Sequence, residues 1–284
     1  MSFVYPKIGI ALSGGAARGN AHVGVLRALA ENNIRIDCIA GTSCGAVVGG
    51  ALASGLSLDE IEALGRKLRW RHIGRVTMSP LGVQSNERLE TYLRARFPIS
   101  RFEHLSIPFA AIATDLNTGS AVVMRDQGDV PFAIRASCTI PGWYVPVTDE
   151  QGRQLVDGGL VAVIPSMAAR SLGADIVIAV DVNADGATFF GSSTRSIVGV
   201  LLQSLLVFQR SASHHQSESA DLVIRPKVGH IRWDQVRKAD ELIAAGYQAA
   251  LESIPRIRAL IDKAEPAKSS KSLFNPVILS KRLS

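Results

Sequence analysis

The chain has 284 residues, of which 47% are hydrophobic, 20% charged and 6% aromatic. That is enough apolar material to offset the entropy of ordering, which excludes a largely disordered protein, and its 25 glycines follow no repeat, which excludes a collagen-like one. The net charge of +6 is concentrated at one end: Lys263, Lys268, Lys271, Lys281 and Arg282 against Glu265 give +4 from residue 263 onward and leave +2 for the rest. A near-neutral body argues against a nucleic-acid enzyme, while a basic tail suits attraction to an anionic membrane surface.

Ile8 to Leu12 (IGIAL) is a short apolar run that ends in SGGAARG, as expected of a buried strand entering a glycine-rich turn. His22 to Asn32 repeats apolar residues at helical spacing. Ile36 to Ala40 predicts a second buried strand, followed at once by GTSCG and a helix of small residues. Strand, helix, strand and helix within some fifty residues point to a parallel sheet with crossover helices. The uncharged stretch from Cys38 to Leu58 is long enough to cross a bilayer, but its glycines and serines suit the strand–turn–helix reading better.

Ser57 with Glu60 three residues later predicts a capped amphipathic helix reaching Trp70, and Asn86 to Phe97 predicts another. Phe109 to Thr114 and Ala121 to Met124 read as strands around a DLNTG turn, and Asp175 to Val182 as a later strand. Ile197 to Phe208 is apolar almost all round and is expected to be a buried helix, too short to span a membrane. Asp221 to Arg225 is a last short strand. Trp233 to Lys263 is expected to be helical at both ends, with a break or kink at Pro255. No linker-like stretch interrupts the chain, so one domain is expected over residues 1–262 and a flexible basic tail over 263–284. Cys38, Cys44 and Cys138 are too scattered for a disulfide framework and include no CxxC pair, which favours a reduced, cytoplasmic setting. The start of the chain mimics a short signal peptide, but cleavage there would remove the glycine-rich loop.

Gly41-Thr42-Ser43-Cys44-Gly45 matches GxSxG, in which a serine on a sharp strand-to-helix turn needs flanks without side chains. The helix that follows aims its positive end at the serine. A cap of that helix is the alternative use for Ser43. Ser13 to Gly19 leaves backbone N–H groups uncovered and suits an anion or an oxyanion. It fits neither GxGxxG, because Ala16 stands at the third position counted from Gly14, nor a P-loop, because no GK[ST] follows. A serine nucleophile needs a base. Among the histidines, His214 and His215 lie on a polar helical stretch and His230 in a loop. Asp157, followed by Gly158 and Gly159, can be carried by a tight backbone turn towards another loop, although an Asp-Gly pair also makes hairpin turns. Asp115, Asp175 and Asp181 lack flanking glycines or end a strand.

GGAARG, GTSCG and DGG in this order and at this separation resemble the patatin-like phospholipase family. The likeness is strongest to its bacterial branch, similar to the catalytic domain of neuropathy target esterase. It runs from about Ile8 to Val182 and includes ATDLNTG and IRASCTIPGWYVPV. The resemblance implies a three-layer α/β/α fold with a mostly parallel central sheet, and a Ser–Asp dyad without catalytic histidine, metal or cofactor. Carried over by position, Ser43 is the nucleophile, Asp157 its base, and Gly14, Gly15 and Ala16 the oxyanion hole. Gly41 and Gly45 form the elbow, Gly158 and Gly159 the turn beside the base, and Arg18 with Gly19 steadies the loop or attracts an anion. Ala16 stands where many members carry a third glycine, so its φ is expected to stay negative. The implied substrate is a phospholipid or lysophospholipid ester, with peripheral membrane contact and no nucleic acid. A soluble carboxylesterase or thioesterase and a weakly active regulatory protein are the alternatives. The predicted helices at 57–70 and 86–97 could form a lid or wall of an apolar cleft, and Trp70, Trp143 and Tyr144 could sit at a lipid interface, although such side chains are more often simply packed.

Overall fold

The computed structural model describes residues 5–183 and 196–264. In chain order they form β1 (Ile8–Leu12), α1 (Asn20–Glu31), β2 (Cys38–Thr42), α2 (Cys44–Ala53), α3 (Leu58–Lys67), β3 (Arg75–Val76), β4 (Gly82–Ser85) and α4 (Glu87–Arg94). Then come β5 (Phe109–Asp115), β6 (Ala121–Met124), α5 (Val130–Ser137), β7 (Gly142–Tyr144), β8 (Val147–Thr148), β9 (Gln154–Asp157) and α6 (Ser166–Ser171). The last elements are β10 (Ile176–Val180), α7 (Ile197–Gln216), β11 (Leu222–Ile224) and α8 (Ala239–Ala264).

The main sheet runs β11-β10-β1-β2-β5-β9-β8, with β6 also paired to β5. From β11 to β5 every neighbouring pair is parallel, and β6, β8 and β9 add antiparallel pairs at the other side. Side-chain alternation sorts each strand by size. Ile8, Ile10 and Leu12 of β1, Ile39 of β2 and Ile176 and Ile178 of β10 join one core with α1, α2 and α8. Ala11, Ala40, Val177 and Ala179 face the opposite side, where short side chains let α6 pack closely through Ala168 and Ala169. The result is helix, sheet and helix in three layers. A small second sheet, β3-β4-β7, lies beside it.

Two expected elements differ. The helix α7 is neither confined to twelve residues nor buried: it continues to Gln216, and Ile197, Leu201 and Phe208 are 81%, 62% and 55% exposed. The C-terminal helix begins at Ala239 rather than Trp233 and runs unbroken through Pro255. Pro255 is exposed, so the backbone carbonyl that loses its N–H partner can be hydrated and the helix continues. Lys263 belongs to α8, and residues 265–284 of the expected tail lie outside the described residues.

Candidate active site

The turn from β2 to α2 carries Ser43 at φ 54° and ψ −121°, outside the comfortable regions for an L-residue. Close approach explains its glycines. A Cβ on Gly41 would stand 2.5 Å from the Gly45 carbonyl oxygen, and one on Gly45 would strike the backbone of Leu12. The strained turn is held from outside: the Ser43 backbone N–H donates to the buried Ser137 hydroxyl at 2.8 Å. The Ser43 carbonyl accepts from Ala46 and Val47, so the first turn of α2 closes directly on this residue and its positive end points at the hydroxyl. The Ser43 side chain makes no capping bond, which removes the cap as its use.

Sheet register explains how a residue 114 positions later reaches this turn (157 − 43). Thr42 pairs with Ile112 of β5, and Ala113 pairs with Asp157 of β9, so both chains reach their turns at the same level of the sheet. Asp157 is buried, its carboxylate accepts the Gly159 N–H at 2.7 Å, and it lies near enough to Ser43 for that hydroxyl to favour its charged form. Its backbone is fixed as well: its N–H donates to the Thr139 carbonyl at 2.8 Å, and its carbonyl accepts the Thr114 hydroxyl at 2.9 Å. Gly158 lies against the Ile112 carbonyl, where a Cβ would collide. Burial pushes the Asp157 carboxyl up to about 6, although the Gly159 N–H and the Ser43 hydroxyl favour its charged form.

The other acids and the imidazoles are engaged elsewhere. Asp115 caps the 115–118 turn, Asp175 accepts the Lys7 N–H, and Asp181 accepts the Asn183 N–H. His230 meets Glu241 at the surface, His72 stacks on Tyr92, and His104, His214 and His215 are exposed. His22 is fully buried with Nε2 2.9 Å from the Ser13 carbonyl, and burial lowers it to about 4, so it stays neutral. Two thiols border Ser43. Burial first, and then the charge of Asp157, raise Cys44 to about 12 and Cys138 well above the ordinary thiol value. Neither competes as a nucleophile near neutral pH.

The glycine-rich loop lies against the same hydroxyl, with Gly14 packed on Ser43. It narrows the expected set of donors. The Gly14 N–H donates to the Val163 carbonyl at 3.1 Å and is therefore engaged, whereas no protein acceptor for the Gly15 N–H occurs among the described residues. The Ala16 N–H lies near the Cys44 sulfur. Ala16 also corrects an expectation, since its φ is 51° and not negative. The following Ala17 N–H donates to the Trp233 carbonyl at 2.9 Å and holds the loop in this conformation. Arg18 is buried, with Nε on the Ile231 carbonyl at 2.7 Å and an Nη on Asn183 at 3.1 Å. Those bonds fit the loop-steadying use. Gly19 packs on Cys44.

Ser43 borders two cavities. The larger, about 1020 Å³ with its mouth, is walled by Val47 and Ala51 of α2, Ile61 and Leu64 of α3, and Leu89, Leu93 and Phe97 at α4, so the helices expected as a wall provide it. The smaller, about 580 Å³, is lined by the glycine-rich loop, Asp157, Leu202, Leu206 and Gln209 of α7, and Trp233. Trp70 and Trp143 pack edge-on against Trp233, with centroids 5.2 and 6.3 Å apart, and Tyr144 is 2% exposed. These aromatics are packed, the commoner of the two uses open to them, instead of standing free at an interface.

A family model described as patatin-like phospholipase matches residues 10–170, which include Ser43, Asp157 and the glycine-rich loop. The chain belongs to the patatin-like phospholipase family. It is 40% identical over 181 residues to an uncharacterised NTE family protein of Mycobacterium tuberculosis, covering 63% of this chain and 49% of that protein. It is 36% identical over 184 residues to patatin-like phospholipase domain-containing protein 7 of Rattus norvegicus, covering 62% of this chain and 13% of the relative. The chain thus spans about half the length of the mycobacterial relative and a small part of the rat protein. The crystal structure of VipD from Legionella pneumophila shares the fold, with a TM-score of 0.54 and 13% identity over 92% of this chain and 67% of that one.

Within this patatin-like frame, three polar residues escaped sequence reasoning. Ser137 holds Ser43, Thr139 holds Asp157, and the buried Asn86 donates to the Thr139 hydroxyl at 2.9 Å. The segment 137–139 therefore supports both halves of the site. IRASCT was legible only as part of a resemblance, because a serine and a threonine around the end of a helix carry no pattern of their own.

Proposed function

We propose that the chain is a serine acyl hydrolase that cleaves carboxylic esters of phospholipids or lysophospholipids. The observation that carries this reading is the Ser43 hydroxyl, held on a strained turn, sharing a cavity with the buried Asp157 carboxylate and opening on an apolar cavity. Ser43 attacks the ester carbonyl while Asp157 accepts its proton, and the resulting oxyanion is stabilised by the Gly15 and Ala16 N–H groups and the positive end of α2. Collapse of this intermediate transfers the proton to the departing alcohol and leaves the acyl chain on Ser43. Asp157 then deprotonates a water that attacks the acyl-enzyme and frees the acid. The sequence uses no metal or cofactor.

The apolar lining favours a long acyl chain over acetate or butyrate, and the name of the rat relative points to a phospholipid. Hydrolysis of p-nitrophenyl esters of graded chain length tests the reading, together with labelling by a fluorophosphonate. Wild type is expected to prefer long chains and to be labelled, and Ser43→Ala to lose both activity and label. A preference for the shortest esters selects a soluble carboxylesterase or thioesterase instead. Wild type without turnover or label would leave a regulatory protein.

A further inference from the structure

The outward face of α7 has no partner among the described residues. Ile197 is three and four residues before Val200 and Leu201, and Val207 and Phe208 follow those two by seven, so all five fall on a single stripe, and all are at least half exposed. The opposite side of the same helix, through Leu202, Leu206 and Gln209, walls the smaller cavity beside Ser43. A second exposed apolar group lies close by. β7 packs against α7 and pairs with β4, and the β3–β4 hairpin presents Met78 at 99% exposure with Leu81 beside it. Clusters of exposed apolar side chains of this kind mark interaction surfaces.

Charge selects the occupant. From Ile197 to Gln216 there is no acidic residue, and none between Glu62 and Glu87, a stretch that holds Arg66, Lys67, Arg69, Arg71 and Arg75. Arg71 and Arg75 are exposed and pair with no carboxylate among the described residues. Apolar side chains on segments that carry arginines and no acid complement an anionic lipid surface, whereas two copies of this face would bring like charges together. We propose that α7 and the β3–β4 hairpin dock the protein on an anionic lipid surface, with α7 lying in the interface plane. The cavity beside Ser43 then opens next to the lipid. This goes beyond the proposed chemistry and stands without it, since docking needs neither Ser43 nor Asp157.

The test is sedimentation of the full chain with vesicles of phosphatidylcholine, and of phosphatidylcholine mixed with phosphatidylglycerol. Wild type is expected to bind the mixed vesicles, more weakly at high salt, and Leu201→Ser/Phe208→Ser to bind them roughly tenfold less well. Arg71→Ser/Arg75→Ser is expected to lose the preference for the anionic lipid. Both variants change exposed side chains outside the cavities, so hydrolysis of a soluble ester and fluorophosphonate labelling should stay at the wild-type level and report an intact fold. A wild type that ignores both vesicles, or a Leu201→Ser/Phe208→Ser variant that binds as wild type does, overturns the proposal. So does a wild-type dimer in gel filtration that this variant converts to monomer, which would assign the face to a second copy. Because sedimentation does not depend on turnover, its failure and the failure of the hydrolase reading are separable.

Discussion

A carboxylate can take a proton from Ser43 only while it is ionised, and Asp157 has been moved to where that matters. Burial raises it to about 6, so protonation below that value removes the base. Activity is therefore expected to be present above pH 6 and to fall as pH drops through it. kcat/KM for a soluble ester, measured between pH 4 and 8, should fall about tenfold per unit on the acid side; a profile flat through pH 6 counts against Asp157. Ser137 acts one step away, on the backbone of Ser43. Ser137→Ala leaves a strained, half-buried N–H without its acceptor, at a cost of about 1–3 kcal/mol. If that cost appears in the geometry of attack, kcat and the rate of fluorophosphonate labelling fall tenfold or more with KM little changed. A loss of stability with unchanged kcat would assign Ser137 a purely structural part. Ser43 was legible because its glycines are close in sequence and their crowding is local. Ser137 was not, because its bond spans 94 positions and nothing around it is unusual.

At the scale of elements, α2 acts as a ruler. Ser43, Val47 and Ala51 recur every four residues and all three line the larger cavity, so each step moves ~6 Å away from the reacting hydroxyl. Val47→Phe is expected to fill the cavity one turn from Ser43. It should lower kcat/KM roughly tenfold or more for long-chain esters and leave short esters nearly unchanged, because exclusion of a few methylenes costs ~1–3 kcal/mol. Equal losses at every chain length would mean that the acyl chain lies elsewhere. The paired strands β1 and β10 could be read from the sequence, since IGIAL and IVIAV are apolar and stop at polar residues, Ser13 and Asp181. The α3 start was legible for a similar reason: Ser57 and Glu60 bond reciprocally in a capping box that needs no distant partner. α7 was misread because composition reports how apolar a helix is, not what covers it. IVGVLLQSLLVF is the same string whether its outer face meets protein or, as here, lies open.

The whole molecule extends beyond the span that carries the family likeness. That span ends at residue 170, before β10, yet β10 pairs with β1 from Ile8↔Ile176 to Leu12↔Val180 and so borders the strand that leads into the glycine-rich loop. α8 closes the opposite layer by packing along α1, and Gly246 touches the Ala21 backbone where the two helices cross. Leu242, Ile243, Ile254 and Ile257 of α8 are between 0% and 8% exposed. Burying an aliphatic side chain contributes about 1.5–3 kcal/mol, so these four account for about 6–12 kcal/mol, comparable to the 5–15 kcal/mol that holds a typical domain together. A chain ending at Lys238 is therefore expected to lose its near-UV circular dichroism and its fluorophosphonate label, although Ser43, Asp157 and the loop are all present. A chain ending at Ala264 keeps α8 and should retain both signals. Equal labelling of the two chains would mean that the catalytic half folds without α8, and that the helix pair is an accessory to the site rather than part of its foundation.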